Sequence, residues 1–219
     1  MLIYQIEFED IMQLLKWIES KLRGKAVSKK IISSKDWLVE SVQYFRELGF
    51  FDKYHSLPNS ELVATLENLY REEWGEIFNP EDMLADLLLV KWDENRVWWE
   101  DTEADVCSGN GVYKRTLKEW AAISRGVFSP ANIQEDWESE DGPVTITFTH
   151  DQQTVQLHPQ FLDDYIDISI LPQINKLIYS SGMEFAVYKV FDQTAFVVVL
   201  TAQEKGKLQN ERGWRFANI

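Results

Sequence analysis

Apolar residues recur at helical spacing in the N-terminal part of the chain. Over residues 11–23, Ile11, Leu14, Leu15, Ile18 and Leu22 fall on one stripe and predict an amphipathic helix. In 33–49, Leu38, Val42, Phe45 and Leu48 repeat the plan, with Ser34 as the N-cap and Gly49 as the stop. A third stripe, Leu62, Leu66, Leu69 and Tyr70, follows Ser60 as its cap. A fourth helix is expected from Asn79 and Pro80, the favoured N-cap and first-turn pair, with Asp82 in the positive first turn.

From about residue 90 the period changes. "VKWDENRVWW" reads as two short apolar segments around a polar turn. "RTLKEWAAISRG" returns to a helix, with Leu117, Trp120 and Ala121 on one side and Gly126 at its end. Ser129 before Pro130 predicts another short helix over "SPANIQEDW", and "SEDGP" (139–143) is the strongest turn signal in the chain.

The C-terminal part reads as ββαββ. Val144, Ile146 and Phe148 alternate as in a half-buried strand, "DQQ" turns, and "TVQLHP" returns. Ile168, Leu171, Ile174, Leu177 and Ile178 have helical spacing, with Pro172 at a first turn or a kink. "MEFAVYKVF", "DQT" and "AFVVVLT" form a hairpin. The expected fold class is therefore α+β: N-terminal helices (1–90), an acidic Trp-rich middle region (91–142) and a C-terminal antiparallel ββαββ region (143–219), on one continuous core.

Composition supports a globular chain with a sizeable core. Of 219 residues, 45% are hydrophobic and 13% aromatic, including 9 Trp, against 26% charged. The formal net charge of −14 argues against nucleic acid and anionic membranes, which need a cationic footprint. The densest basic run holds Lys21, Arg23, Lys25, Lys29 and Lys30, and reads as a solvated helix end opposing the negative end of the helix dipole. A single cysteine, Cys107, makes no internal disulfide and fits a reducing compartment. Neither a signal peptide nor an apolar run near the ~20 residues of a membrane span is legible, so the expected location is cytoplasmic.

Candidate chemistry concentrates in "RVWWEDTEADVCSGNGVY" (96–113). Asp101, Glu103 and Asp105 have the alternate spacing of a calcium loop. However, Val106 stands where the loop glycine belongs and Val112 where the bidentate glutamate belongs. An extended 97–106 would place Trp99, Asp101, Glu103 and Asp105 on one face. "GNGVY" lacks the spacing of a dinucleotide or phosphate loop and reads as a tight turn. His150 and His158 flank "DQQTVQL" and, with Asp163 and Asp164, are the residues to test for a metal, although no tight ligand motif is present. Cys107 and Ser124 lack the context of a catalytic nucleophile, and no cofactor motif is legible.

Glu138, Glu140 and Asp141 extend the acidic inventory of the middle region, beside Trp92, Trp98, Trp99, Trp120 and Trp137. Most of these indoles are expected in the core. One or two exposed among carboxylates would make a docking site for a cationic surface. The leading expectation is a non-catalytic binding protein, comparable to an immunity or inhibitor protein. It would dock a basic protein through Trp98, Trp99, Asp101, Glu103, Asp105, Trp137, Glu138 and Glu140. The alternatives are a metal- or carboxylate-dependent hydrolase and a structural homo-oligomeric subunit.

Overall fold

A computed structural model describes residues 33–140, 142–188 and 193–218, which form an α+β fold. The helix expected over 11–23, the basic run at 21–30 and Asp141 lie outside the described residues.

Helix α1 (Ser34–Glu47) is capped one residue earlier than expected: the Ser33 hydroxyl accepts the Asp36 N–H at 3.1 Å. Ser34 instead donates its hydroxyl to the Phe78 carbonyl. Gly49 follows at φ 74°, the left-handed conformation that ends a helix cheaply only at glycine. Helix α2 (Asn59–Trp74) starts behind Pro58 with no side-chain cap, so Ser60 does not serve as one, and Gly75 closes it. The fourth expected helix is shorter than its cap signals implied. Asn79 and Asp82 accept the Glu81 and Leu84 N–H groups at 3.0 and 2.8 Å, forming local turns, and α3 spans Ala85–Val90.

Strand β1 (Val97–Asp101) leads through a loop to helix α4 (Val112–Ile123), whose Leu117 and Trp120 are buried. The short helix expected over 129–137 is instead strand β2 (Ala131–Trp137). It pairs antiparallel with β3 (Val144–His150), and that pairing outweighs the Ser-Pro cue. Strand β4 (Gln153–Leu157) follows a tight turn in which Asp151 and Gln152 both take positive φ. Helix α5 (Leu171–Ile178) carries Pro172 in its first turn. Strands β5 (Met183–Tyr188) and β6 (Thr194–Thr201) then precede α6 (Ala202–Glu211).

The ββαββ elements occur in the expected order, but their two hairpins belong to different sheets. One sheet runs β1–β6–β5 and the other β2–β3–β4, all antiparallel. The first sheet separates two hydrophobic clusters. Phe196, Val198 and Leu200 of β6 pack with α1, α2, α3, Leu208 and Trp214. Ala195, Val197 and Val199 face the opposite way, onto α4, α5 and the β2–β3–β4 sheet. Trp98 belongs to this second cluster, and Val97 to the first.

A buried polar knot joins α1 to β1 and α6. Asp93 is 0% exposed and accepts the N–H of Phe51, which has φ 62°. Arg96, 4% exposed, donates to the Leu48 and Gly49 carbonyls at the end of α1. Its other terminal nitrogen lies 4.0 Å from Glu204, which also receives Arg125 at 3.0 Å and closes the capping box of α6. Burial pushes Asp93 above the ordinary carboxylate range, against the pull of the Phe51 N–H and Arg96. Burial, with Arg125 next, brings Arg96 down to about 10.

Candidate functional site

The acidic stretch after the paired tryptophans is not one extended face. Strand β1 ends at Asp101, whose side chain accepts the Glu103 N–H at 2.9 Å and turns the chain. Glu103 forms an isolated bridge with Tyr165, and Asp105 takes φ 50°. The Asp105 side chain and carbonyl both accept from Asn110 Nδ2, at 2.9 and 2.8 Å. Val106 and Val112, which stand in the calcium-loop positions for glycine and glutamate, are core residues at 4% and 0% exposure. Among the described residues, no group of three or more His, Cys, Asp or Glu is arranged to hold a metal. The "GNG" turn is borne out: Gly109 and Gly111 have positive φ, and Gly111 is the N-cap of α4.

The tryptophans of the middle region are buried or half-buried. Trp98 is 4% exposed and donates its indole N–H to Glu119 at 2.9 Å. Trp99 packs edge-on against Phe196 with centroids 5.4 Å apart, and Trp120 is fully buried. Trp137 is half-buried and donates to Glu135 at 3.2 Å. Glu135 also accepts the Lys114 N–H at the start of α4, so its carboxylate satisfies one of the open N–H groups of that helix end. An open cleft of about 580 Å³ lies here, lined by Ser108, Lys114, Gln134, Asp136 and Trp137 among others.

The two histidines proposed as a pair are apart. His150 is buried beside the 151–152 turn. Its Nδ1 lies 3.4 Å from the Ser129 N–H, its Nε2 lies 3.6 Å from Asp151, and its ring packs on Phe128. His158 lies at the other end of the hairpin, with Nδ1 3.3 Å from the Thr145 hydroxyl. Five residue steps along β3 separate His150 from Thr145 beside His158, about 17 Å at the usual rise. His150 also shares the inward face of β3 with Ile146 and Phe148, whereas Thr145 points outward.

What the fold does bring together is acid from three parts of the chain. The loop after β1 pairs with 162–166: the Ala104 N–H donates to the Asp164 carbonyl, and the Ile166 N–H to Thr102, both at 2.8 Å. The same loop reaches the turn between β2 and β3, where the Ser108 N–H donates to the Glu140 carbonyl at 2.8 Å. Asp101, Glu103, Asp105, Glu138, Glu140, Asp163 and Asp164 are all exposed. Phe161 and Leu162 stand among them at 45% and 42% exposure, and Phe161 leans on the β2–β3 turn at Gly142.

The segment bearing that apolar pair is pinned from several sides. Asp167, 3% exposed, accepts the Gln160 and Ser169 N–H groups at 2.7 and 2.9 Å. Its own N–H donates to the Tyr113 hydroxyl at 3.1 Å. Burial pushes the Tyr113 phenol up to about 12, so it stays neutral across the physiological range. Gln193 donates to the Tyr165 hydroxyl, which lies 3.5 Å from Glu103. Sequence periodicity missed Phe161 and Leu162, because an exposed apolar pair in a loop has no period. Their adjacency to Asp163 and Asp164 was the one available signal. Among the described residues, no helix is long and apolar enough to cross a membrane. No known family matches this chain, and neither a curated protein nor a solved structure shows significant similarity to it.

Proposed function

We propose that this chain is a non-catalytic acidic binding protein that docks a basic protein partner, in the manner of an immunity or inhibitor protein. One observation carries the reading: carboxylates from three separate stretches, 101–105, 138–140 and 163–164, are exposed on segments that hydrogen-bond to one another. Exposed carboxylates on neighbouring segments add to one negative potential, which a cationic surface complements. The net charge of −14 adds long-range attraction for the same class of partner. Of the aromatic residues expected to assist, Trp98 is too buried to contribute. Trp99 and Trp137 are half-buried and would act only at the margin.

Capture from the native host's lysate with purified chain, eluted by a salt step, tests the reading. A basic protein should be retained by the wild type and lost by the triple variant Asp101→Lys, Glu103→Lys, Asp105→Lys. Its association rate should fall at least about tenfold between low salt and ~0.15 M ionic strength. A captured partner whose association rate ignores salt would refute the charge-steered mechanism.

A further inference from the structure

We infer that the loop carrying Phe161 and Leu162 is the insertion element of this surface, and that the partner it fits presents an apolar pocket rimmed by lysine or arginine. The inference rests on the acidic-docking reading above and names the partner's chemistry. Phe161 and Leu162 are consecutive large apolar residues at 45% and 42% exposure. Asp163 and Asp164 follow them directly, and the 138–140 turn lies alongside through Gly142. An apolar centre with a charged rim is the arrangement of an interface hot spot and its surround.

The loop is preorganised. Asp167 ties down Gln160 at one end, and the Ala104–Asp164 and Ile166–Thr102 backbone bonds hold the other. Presenting two apolar side chains on a fixed backbone costs little further ordering on binding, which is where flexible loops lose affinity.

Charge decides among the occupants that would cover such a patch. A second copy packed about a two-fold axis would set the same carboxylates against themselves. An anionic bilayer would repel them. A polypeptide with cations around an apolar recess satisfies both features, and no anionic or neutral partner does.

Two synthetic probes separate the contributions: a short peptide of alternating leucine and lysine, and oligolysine with the same number of lysines, titrated calorimetrically at ~0.15 M ionic strength. The wild type should bind the leucine–lysine peptide about tenfold more tightly than oligolysine. The double variant Phe161→Ser, Leu162→Ser should lose that preference and keep its oligolysine affinity. Phe161→Leu should retain most of the preference. Asp163→Lys with Asp164→Lys should weaken both probes, whereas Glu72→Lys with Glu76→Lys, exposed at the end of α2, should leave the preference intact. Unchanged melting of the serine variant confirms that its fold survives, as expected from two exposed side chains.

If the wild type binds both peptides equally, or the serine variant keeps its preference, the insertion role is overturned while the acidic reading stands. If neither probe binds, or reversal at 163–164 has no more effect than reversal at 72 and 76, the acidic reading fails and takes this inference with it.

Discussion

At the scale of single residues, the most consequential choice is a carboxylate and a guanidinium placed where water does not reach. Asp93 holds the backbone at Phe51, and Arg96 satisfies the carbonyls that α1 leaves open at its C-terminus. Asp93→Ala orphans the Phe51 N–H and deprives Arg96 of a nearby negative charge. A loss of about 1–3 kcal/mol in urea unfolding is expected, as for a buried donor left unsatisfied. Asp93→Asn keeps an acceptor for Phe51 and should cost less. The two also differ in pH dependence. Burial raises the Asp93 pKa above its usual 3.8, so ionising it costs more in the folded state than in the unfolded one. Wild-type stability relative to Asp93→Asn should therefore fall as pH rises from about 4 through the elevated native pKa, then level off. A relative stability that climbs over that range would show that Arg96 and the Phe51 N–H outweigh desolvation.

At the scale of elements, two strands show how burial reads in sequence. In β3, Val144, Ile146, Phe148 and His150 face inward and Thr145, Thr147 and Thr149 outward, so its period is plain. In β6, the run from Ala195 to Leu200 is buried on both sides, so alternation vanishes and only length and branched residues mark a strand. Val197→Thr and Val198→Thr should each cost roughly 1–3 kcal/mol, although they point in opposite directions, because either hydroxyl enters a dry core. Thr147→Val in β3 should be close to neutral. If one of the two β6 variants proved as mild as the β3 variant, β6 would have a wet face. The helices over 34–47, 59–74 and 112–123 were legible for the same reason as β3, since each buries a single stripe. Strand β2 was not, because only Ile133 of its seven residues is buried and its extended form is imposed by pairing with β3. Helix α6 buries only Leu208 and shows no stripe; its Thr201–Glu204 capping box was the readable sign. The site was legible in its chemistry and hidden in its assembly. The acids at 101–105 and 138–140 were plain in the sequence. Their meeting with Phe161, Leu162, Asp163 and Asp164 depends on backbone pairings across distant parts of the chain.

At the scale of the whole molecule, a charge of −14 works against compaction through self-repulsion. Screening that repulsion should raise the melting temperature as sodium chloride rises from ~0.01 to ~0.15 M. Differential scanning fluorimetry across that range checks it. A falling melting temperature would mean that attractive pairs such as Arg212–Asp86 and Lys205–Glu184 outweigh the general repulsion. The shared sheet has a further consequence for the order in which the protein is made. The helices over 34–90 emerge from the ribosome well before the wall they pack against, which includes Phe196, Val198, Leu200, Leu208 and Trp214. A nascent chain stalled before β6 leaves greasy helix faces bare. Folding of either half therefore waits on β6 and the residues after it, and chaperone engagement should persist until residues 194–214 clear the exit tunnel.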